Sequence, residues 1–150
     1  MALYAISDLH LSFNTQKPMD VFGDDWEDYT RRIAENWHKK IKNEDVIILC
    51  GDHSWATYLE EARVDFEFIN NLPGKKILSK GNHDYWWTTP KKLNDYCAEN
   101  NFDTISFLHN NHYMYKDIAI CGAKGWALAT NIAEDKKIYN REQERLTLSL

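Results

Sequence analysis

Residues 76–84 read Lys-Ile-Leu-Ser-Lys-Gly-Asn-His-Asp. The first four of them are typical of a short buried strand, and Gly81 begins a polar loop. Glycine permits the sharp turn that directs the next side chains away from the strand. The segment therefore predicts a β-strand whose carboxyl end carries an amide, an imidazole and a carboxylate, at 82–84.

Two earlier segments have the same arrangement. Residues 2–7 form a nearly continuous apolar run that ends at Asp8 and His10, and residues 45–50 form a second run that ends at Asp52. In open α/β sheets the carboxyl ends of parallel strands form the crevice where ligands bind, so we expect the three loops to meet. Their oxygen and imidazole donors, without sulfur, suit Mn, Fe, Zn or Mg.

Helical patterns separate these strands. Helices are predicted at 24–41, 58–72, 88–100 and 134–150, and further strands at 104–108, 113–115 and 118–121. The acids at 24–28 are predicted to occupy the first turn of a helix, where the helix dipole favours them. Alternation of strands and helices predicts an α/β fold with a largely parallel sheet, to which a hairpin at Lys116-Asp117 adds mixed pairing.

The polar loops carry a family resemblance. Asp8-Leu9-His10, Gly51-Asp52 and Gly81-Asn82-His83-Asp84, in this order and each after a strand, resemble the first three motifs of the calcineurin-like metallophosphoesterases. The resemblance covers the layout of residues 1–126 and implies a four-layer α-β-β-α sandwich with a mostly parallel or mixed sheet. Two later histidine motifs of the family have no counterpart, so residues 1–150 are interpreted as the N-terminal portion of such a domain.

The resemblance implies two divalent metal ions, either Mn, Fe, Zn or Mg. Asp8 and His10 would hold the first ion, Asn82 the second, and Asp52 would bridge them. A hydroxide activated by the two ions would hydrolyse a phosphate ester, as in a phosphatase or phosphodiesterase.

The resemblance also implies catalytic roles outside the metal ligands. His83 would be the general acid that faces the leaving oxygen, and Asp84 would orient its imidazole. Asn82 would also face the substrate. The second motif lacks the nearby Arg that clamps phosphate in many relatives, so His53 is a candidate substrate contact, with a packed histidine as the equal alternative.

Aromatic residues near the motifs leave two interpretations open. Tyr85-Trp86-Trp87 could form a wall beside the leaving group or belong to the core, and Trp55 could line the pocket. Cys50 and Cys121 lie in apolar runs and are predicted to be buried thiols.

Composition limits the class of protein. The chain has 150 residues, 43% hydrophobic and 27% charged, with a net charge of −5. No run of 18 apolar residues predicts a membrane span, and no Lys/Arg stripe favours long nucleic acid. We expect a cytoplasmic, bacterial-type enzyme acting on a small phosphate ester or diester. The alternatives are a non-catalytic or incomplete metal-binding domain of the same fold, or a nuclease.

Overall fold

Four short strands lie side by side in the order β1-β2-β3-β4. The computed structural model describes residues 1–126 and 133–150, and it divides into two units, Met1–Phe107 and Leu108–Leu150. The strands are β1 (Leu3–Ile6), β2 (Val46–Leu49), β3 (Lys75–Ser79) and β4 (Ile105–Leu108). β1 pairs with β2, and β2 with β3, in parallel register. The predicted α/β fold with a parallel sheet is confirmed.

Three helices pack on one face of this sheet. They are α1 (Tyr29–Lys40), α2 (Arg63–Asn71) and α3 (Pro90–Glu99). The core joins the helix side chains Trp37, Phe66, Ile69 and Leu93 to the strand side chains Ile47, Leu49 and Leu78. In β2 the core residues alternate with half-buried Val46 and Ile48, as expected where helices cover one face of a strand.

The start of α1 differs from the prediction. Residues 24–28 were expected to form its first turn, but Asp24–Trp26 is a separate 3-10 turn and α1 begins at Tyr29. Asp28 lies between them with a left-handed φ of 52°. A left-handed residue cannot continue a right-handed helix, so the acids lie outside α1.

Side-chain hydrogen bonds to the backbone set the starts of α2 and α3. α2 was predicted from residue 58 but begins at Arg63, because the Glu61 carboxylate accepts hydrogen bonds from the backbone of Thr57 and Tyr58 and holds this stretch in turns. α3 begins as predicted with Pro90, and the Thr89 hydroxyl accepts a hydrogen bond from the Lys92 amide.

Two predicted burials are wrong. β1 was expected to be buried, yet Tyr4 and Ile6 are 38% and 36% exposed, because the strand lies at the edge of the sheet. Its side chains and those of α1, including Ile33, line an open, mostly apolar groove of about 630 Å³. Cys50 is exposed because it follows the last residue of β2 on the side opposite to Leu49.

The second unit contains the predicted hairpin and the last helix. β5 (Asn111–Tyr115) pairs with β6 (Ile118–Gly122) in antiparallel register, and the turn residue Lys116 has a φ of 54°. α4 (Ala133–Ser149) contacts both strands. Cys121, predicted to be buried, is half-buried in β6. Among the described residues, no helix combines the length and the apolar character needed to cross a bilayer.

Candidate metal centre

The loops after β1 and β2 run alongside each other. The His10 amide donates to the Asp52 carbonyl at 2.9 Å, and the Leu11 amide donates to the His53 carbonyl at 2.9 Å. An isolated parallel bridge joins Leu11 to Ser54. The pairing of the two strands thus continues into the loops and places His10 beside Asp52.

Three of the predicted metal ligands have left-handed backbone. Asp8, His10 and Asp52 have φ values of 59°, 43° and 54°. This conformation costs a residue other than glycine about 1 kcal/mol or more, and it persists only where the surroundings impose it. The loops therefore hold these donors in conformations that they would not adopt alone.

Donor atoms of three side chains converge at this end of the sheet. Within the described residues, His10, Asp52 and His83 form one group in which the potential ligand atoms all lie within 4.8 Å of one another. His83 Nδ1 is 2.9 Å from Asp52 Oδ2, and His10 Nε2 is 4.0 Å from the same oxygen. His83, predicted as a general acid, therefore lies among the possible ligand atoms.

The remaining predicted ligands border this group. Asp8 Oδ1 lies 3.6 Å from His10 Nε2, and the Asp8 side chain is 57% exposed. The Asn82 amide nitrogen lies 3.0 Å from His83 Nδ1. The structure thus brings Asp8, His10, Asp52, Asn82 and His83 to one place, as the three loops predict.

Contacts with two histidines favour the ionised form of Asp52. Burial raises the pKa of this carboxyl, but hydrogen bonds from the His83 amide and ring, with the charges of His83 and His10, outweigh burial and hold the pKa below its ordinary value. A carboxylate must be deprotonated to bind a metal ion. Asp52 is therefore in the required form at neutral pH.

Asp84 has different partners from those implied by the resemblance. Its carboxylate is fully buried and accepts hydrogen bonds from the backbone amides of Asp52, His53 and Gly81, at 2.9, 2.8 and 2.8 Å. The carboxylate that contacts the His83 ring is Asp52. Asp84 thus ties the second loop to the third instead of orienting the imidazole.

Two glycines allow these loops to touch. A Cβ on Gly81 would overlap with Asp52 Oδ1, and a Cβ on Gly51 would lie 2.7 Å from the Gly81 Cα. The glycines of the second and third motifs therefore face each other, and the contact sets the position of Asp52.

His53 lies behind the site. Its side chain is fully buried, and its Nε2 is 2.9 Å from the Ser79 carbonyl. The structure therefore does not bring His53 to the surface where a substrate would bind. Of the two interpretations of this residue, the buried position favours a packed histidine.

Aromatic side chains surround the donor group. Trp55 stacks on His10 with ring centres 4.8 Å apart and lies 5.0 Å from His83. Tyr85 is 61% exposed beside His83, whereas Trp86 and Trp87 belong to the core. The sequence Tyr85-Trp86-Trp87 therefore divides between the two interpretations left open for it.

Sequence reasoning missed the contribution of residues 19–29. The Trp26 ring meets His10 edge-on with centres 6.3 Å apart, and the Tyr29 hydroxyl donates to the His10 carbonyl at 2.7 Å. Met19 Sδ accepts a hydrogen bond from the Trp55 indole at 3.2 Å. The spacing of these residues carries no signal for such contacts, because two 3-10 turns bring them to the site.

The donor set fits a divalent metal. It consists of imidazole nitrogens and carboxylate or amide oxygens, which borderline and hard divalent ions prefer. His10 Nδ1 is buried and has no hydrogen-bond partner among the described residues. The other ring nitrogen, Nε2, faces Asp8 Oδ1 and Asp52 Oδ2 at 3.6 and 4.0 Å, so the group has the donor chemistry of a metal site.

Comparisons with known proteins agree with this site. The family model described as calcineurin-like phosphoesterase matches residues 1–145. The fold is similar to the crystal structure of a protein of unknown function from Aquifex aeolicus, with a TM-score of 0.52 and 21% identity, covering 95% of this chain and 75% of that one. No relative was found among curated proteins. From the converging donors and the match over residues 1–145, the chain belongs to the calcineurin-like phosphoesterase family.

Proposed function

We propose that this chain hydrolyses small phosphate esters with the help of two divalent metal ions. The observation that carries the proposal is the convergence of His10, Asp52 and His83 at the carboxyl edge of the sheet. The family is generally hydrolytic, and the donor set has the chemistry of a site for divalent metals.

The first part of the proposal concerns the ligands. Asp8 and His10 would hold one ion, Asn82 the other, and Asp52 would lie between them. When bound, the ions withdraw electron density from phosphate oxygens and lower the pKa of water, which supplies a nucleophile at neutral pH. Asp8 and Asp52 carry only two negative charges, which leaves the loaded site positive toward a phosphate dianion.

His83 would act as the general acid of the reaction. Its side chain is partly exposed, and the contact between Nδ1 and Asp52 fixes the orientation of the ring. In the hydrolysis, the oxygen of water forms a bond to phosphorus and the bond from phosphorus to the leaving oxygen breaks. His83 donates a proton to that leaving oxygen, which departs as an alcohol.

Asp84 and His53 support this chemistry from inside the protein. By accepting the amide of Asp52, the Asp84 carboxylate fixes the backbone that carries the central ligand. His53 keeps a packing role against Ser79. Asp84 is therefore a positioning residue in this proposal, and His53 is a packed one.

The compartment and partners complete the proposal. Three free cysteines agree with a cytoplasmic location. A small phosphate monoester or diester is the proposed substrate, since the chain has no sequence stripe of Lys and Arg for a long phosphate backbone.

The test combines metal binding with turnover. Protein stripped by a chelator is titrated with Mn²⁺ in a calorimeter, and phosphate release is then measured with phenyl phosphate, nitrophenyl phosphate and a diphenyl phosphodiester. We expect Asp52→Asn to weaken Mn²⁺ binding more than about tenfold. We expect His83→Ala to lower kcat about 100-fold on phenyl phosphate, and less on nitrophenyl phosphate, whose leaving group needs no proton.

A matched control separates these effects from general damage. His38 is exposed on α1, so His38→Ala removes an imidazole without touching the site. Mn²⁺ binding without turnover of any ester would favour the incomplete metal-binding domain. Wild-type turnover in both Asp52→Asn and His83→Ala would rule out the assigned roles.

A further inference from the structure

Lys17 is an isolated base in an acidic part of the chain. It is the only Lys or Arg among the first 30 residues, which contain six Asp or Glu. It precedes Pro18 and the 3-10 turn Met19–Phe22, which begins the segment that reaches the metal centre. Salt screens the charge of an exposed lysine over about 10 Å, so Lys17 can strengthen the binding of an anion only if the anion binds close to it.

Lys17 stands beside the aromatic residue that borders the metal centre. Its Nζ lies 5.2 Å from the centre of the Trp55 ring. The same ring stacks on His10 at 4.8 Å and lies 5.0 Å from His83. The Trp55 ring therefore contacts both the ammonium group and two imidazoles of the site.

The position of Trp55 is fixed from two sides. Its backbone amide donates to the Leu11 carbonyl at 2.9 Å, and its indole N–H donates to Met19 Sδ at 3.2 Å. Met19 is buried and only two residues from Lys17. The contacts that hold the ring in place thus also fix the chain that carries the ammonium.

Lys17 is available to an anion, in contrast to the next bases along the chain. Arg31 is paired with Asp28 and Glu35, and Arg32 donates to the Asp25 carbonyl. Lys17 is exposed, and among the described residues no carboxylate lies within ion-pair distance of it. Its contact with an aromatic ring leaves the ammonium N–H groups free to bind oxygen.

We propose that Lys17 and Trp55 form a subsite for the leaving group, which selects phosphate esters that carry a second anionic group. This inference rests on the proposed function. With the ester phosphate at the metal centre, the leaving group extends over Trp55, and Lys17 binds its phosphate or carboxylate.

The test compares three esters with related leaving groups. These are phenyl phosphate, a carboxyphenyl phosphate and a phenylene bisphosphate. In the wild-type protein, kcat/KM for the two doubly anionic esters is expected to exceed that for phenyl phosphate. In Lys17→Gln this ratio falls about tenfold, the size of one lost hydrogen bond between charged groups. Lys17→Arg keeps the ratio within about twofold, because the charge remains.

A control and a second readout make the test decisive. Lys92→Gln removes the same charge from the exposed surface of α3 and is expected to leave the ratio unchanged. Binding of methylenebisphosphonate and methylphosphonate is measured by calorimetry at fixed free Mn²⁺. Lys17→Gln weakens the first about tenfold more than the second. This readout needs no turnover, so it tests the subsite even if the proposed hydrolysis fails.

The change of the kcat/KM ratio in Lys17→Gln identifies the anionic group that Lys17 binds. A ratio that falls for both doubly anionic esters supports a subsite for any anion, and a fall for the bisphosphate alone supports one for phosphate. An equal loss for all three esters would overturn the proposal, because Lys17 would then act on the ester phosphate itself. An unchanged ratio and unchanged bisphosphonate binding in Lys17→Gln would also overturn it.

Discussion

Each end of the parallel sheet buries a charged side chain, a carboxylate at the carboxyl end and an ammonium group at the amino end. At the carboxyl end, the Asp84 carboxylate accepts three backbone amides from the second and third loops. At the amino end, the fully buried Lys76 ammonium donates to the carbonyls of Asn70, Leu72 and Gly74, in the last turn of α2 and in the loop before β3. Each end thus uses one charged side chain to satisfy backbone groups that no strand or helix pairs.

The two ends differ in the polar side chains that are not needed to pair backbone groups. At the amino end, the Asp45 carboxylate accepts hydrogen bonds from the amides of Ala2 and Lys42, so its charge stabilises the backbone before β1 and β2. At the carboxyl end, His10 and Asp52 point donor atoms at a common centre. At the amino end the buried charges pair with backbone groups, whereas the carboxyl end also holds a group of side-chain donor atoms that could bind a metal ion.

The largest expected effect comes from the glycine contact at the carboxyl end. Gly81→Ala would push a methyl group into Asp52 Oδ1. We expect the free energy of unfolding to fall by about 3 kcal/mol, as in strongly overpacked sites, and Mn²⁺ binding to be lost. Urea denaturation and calorimetry measure the two effects.

Gly74→Ala is the matched control at the amino end. Its Cβ would overlap with the buried Ile47 side chain, and the residue has a φ of 90°, so this variant is also destabilised. We expect it to bind Mn²⁺ with wild-type affinity wherever it is folded. Equal loss of binding in both variants would mean that the two ends are not independent.

The next effect comes from the Asp84 carboxylate. Asp84→Ala leaves three buried amides without an acceptor, so we expect a loss of about 3 kcal/mol in unfolding free energy, and a smaller loss for Asp84→Asn. The Asn variant, which stays folded, is expected to bind Mn²⁺ more weakly because the backbone of Asp52 is released. Denaturation and Mn²⁺ titration test both.

Asp45→Ala is the counterpart at the amino end. It leaves the amides of Ala2 and Lys42 unpaired and is expected to lower stability without changing Mn²⁺ affinity. If Asp84→Asn also leaves the affinity unchanged, Asp84 has the same purely structural role as Asp45.

The sequence predicts the strands and the site loops well because their signals are local. The apolar runs before Asp8, Asp52 and Asn82 predict β1, β2 and β3, and parallel pairing then brings the loops together. The hairpin at Lys116 is predicted from its turn residues in the same way. Each of these predictions depends only on residues that are neighbours in the sequence, so the sequence of this one chain is enough to make them.

The sequence does not predict properties that depend on distant partners. The exposure of β1 follows from its place at the edge of the sheet, which its own residues do not encode. The partners of Asp84 are backbone amides, and an amide is present at every residue except proline. The contact of Lys17 with Trp55 joins residues 38 positions apart through an irregular segment.

A smaller effect tests the amino end by pH. Burial lowers the pKa of Lys76 to about 8 from 10.5, so between these values the unfolded chain holds more protons than the folded one. The free energy of unfolding therefore rises with pH there, by about 1 kcal/mol between pH 8 and 9. The Cys97 thiol, whose pKa burial raises from 9.0 to about 12, acts in the opposite direction as the pH approaches and passes 9.

The measurement for Lys76 is denaturation at pH 8 and pH 9. Lys76→Met is less stable overall, since three carbonyls lose their donor, but its stability lacks the rise between these pH values. A rise of the same size in the Met variant would assign it to another group. Mn²⁺ affinity is expected to be the same in both proteins when compared at one pH.

The smallest expected effect comes from backbone strain at Asp8, one of the predicted ligands at the carboxyl end of the sheet. Asp8 has a φ of 59° and an exposed side chain, so Asp8→Gly relieves the strain while Asp8→Ala retains it. We expect the Gly variant to be about 1 kcal/mol more stable than the Ala variant, and both to bind Mn²⁺ more weakly than wild type. Asn101, with a φ of 57° after α3, gives the control pair Asn101→Gly and Asn101→Ala. That pair should show the same difference in stability with unchanged Mn²⁺ affinity, because Asn101 is not among the predicted ligands. Equal stability of the two Asp8 variants would show that this donor is not held under strain.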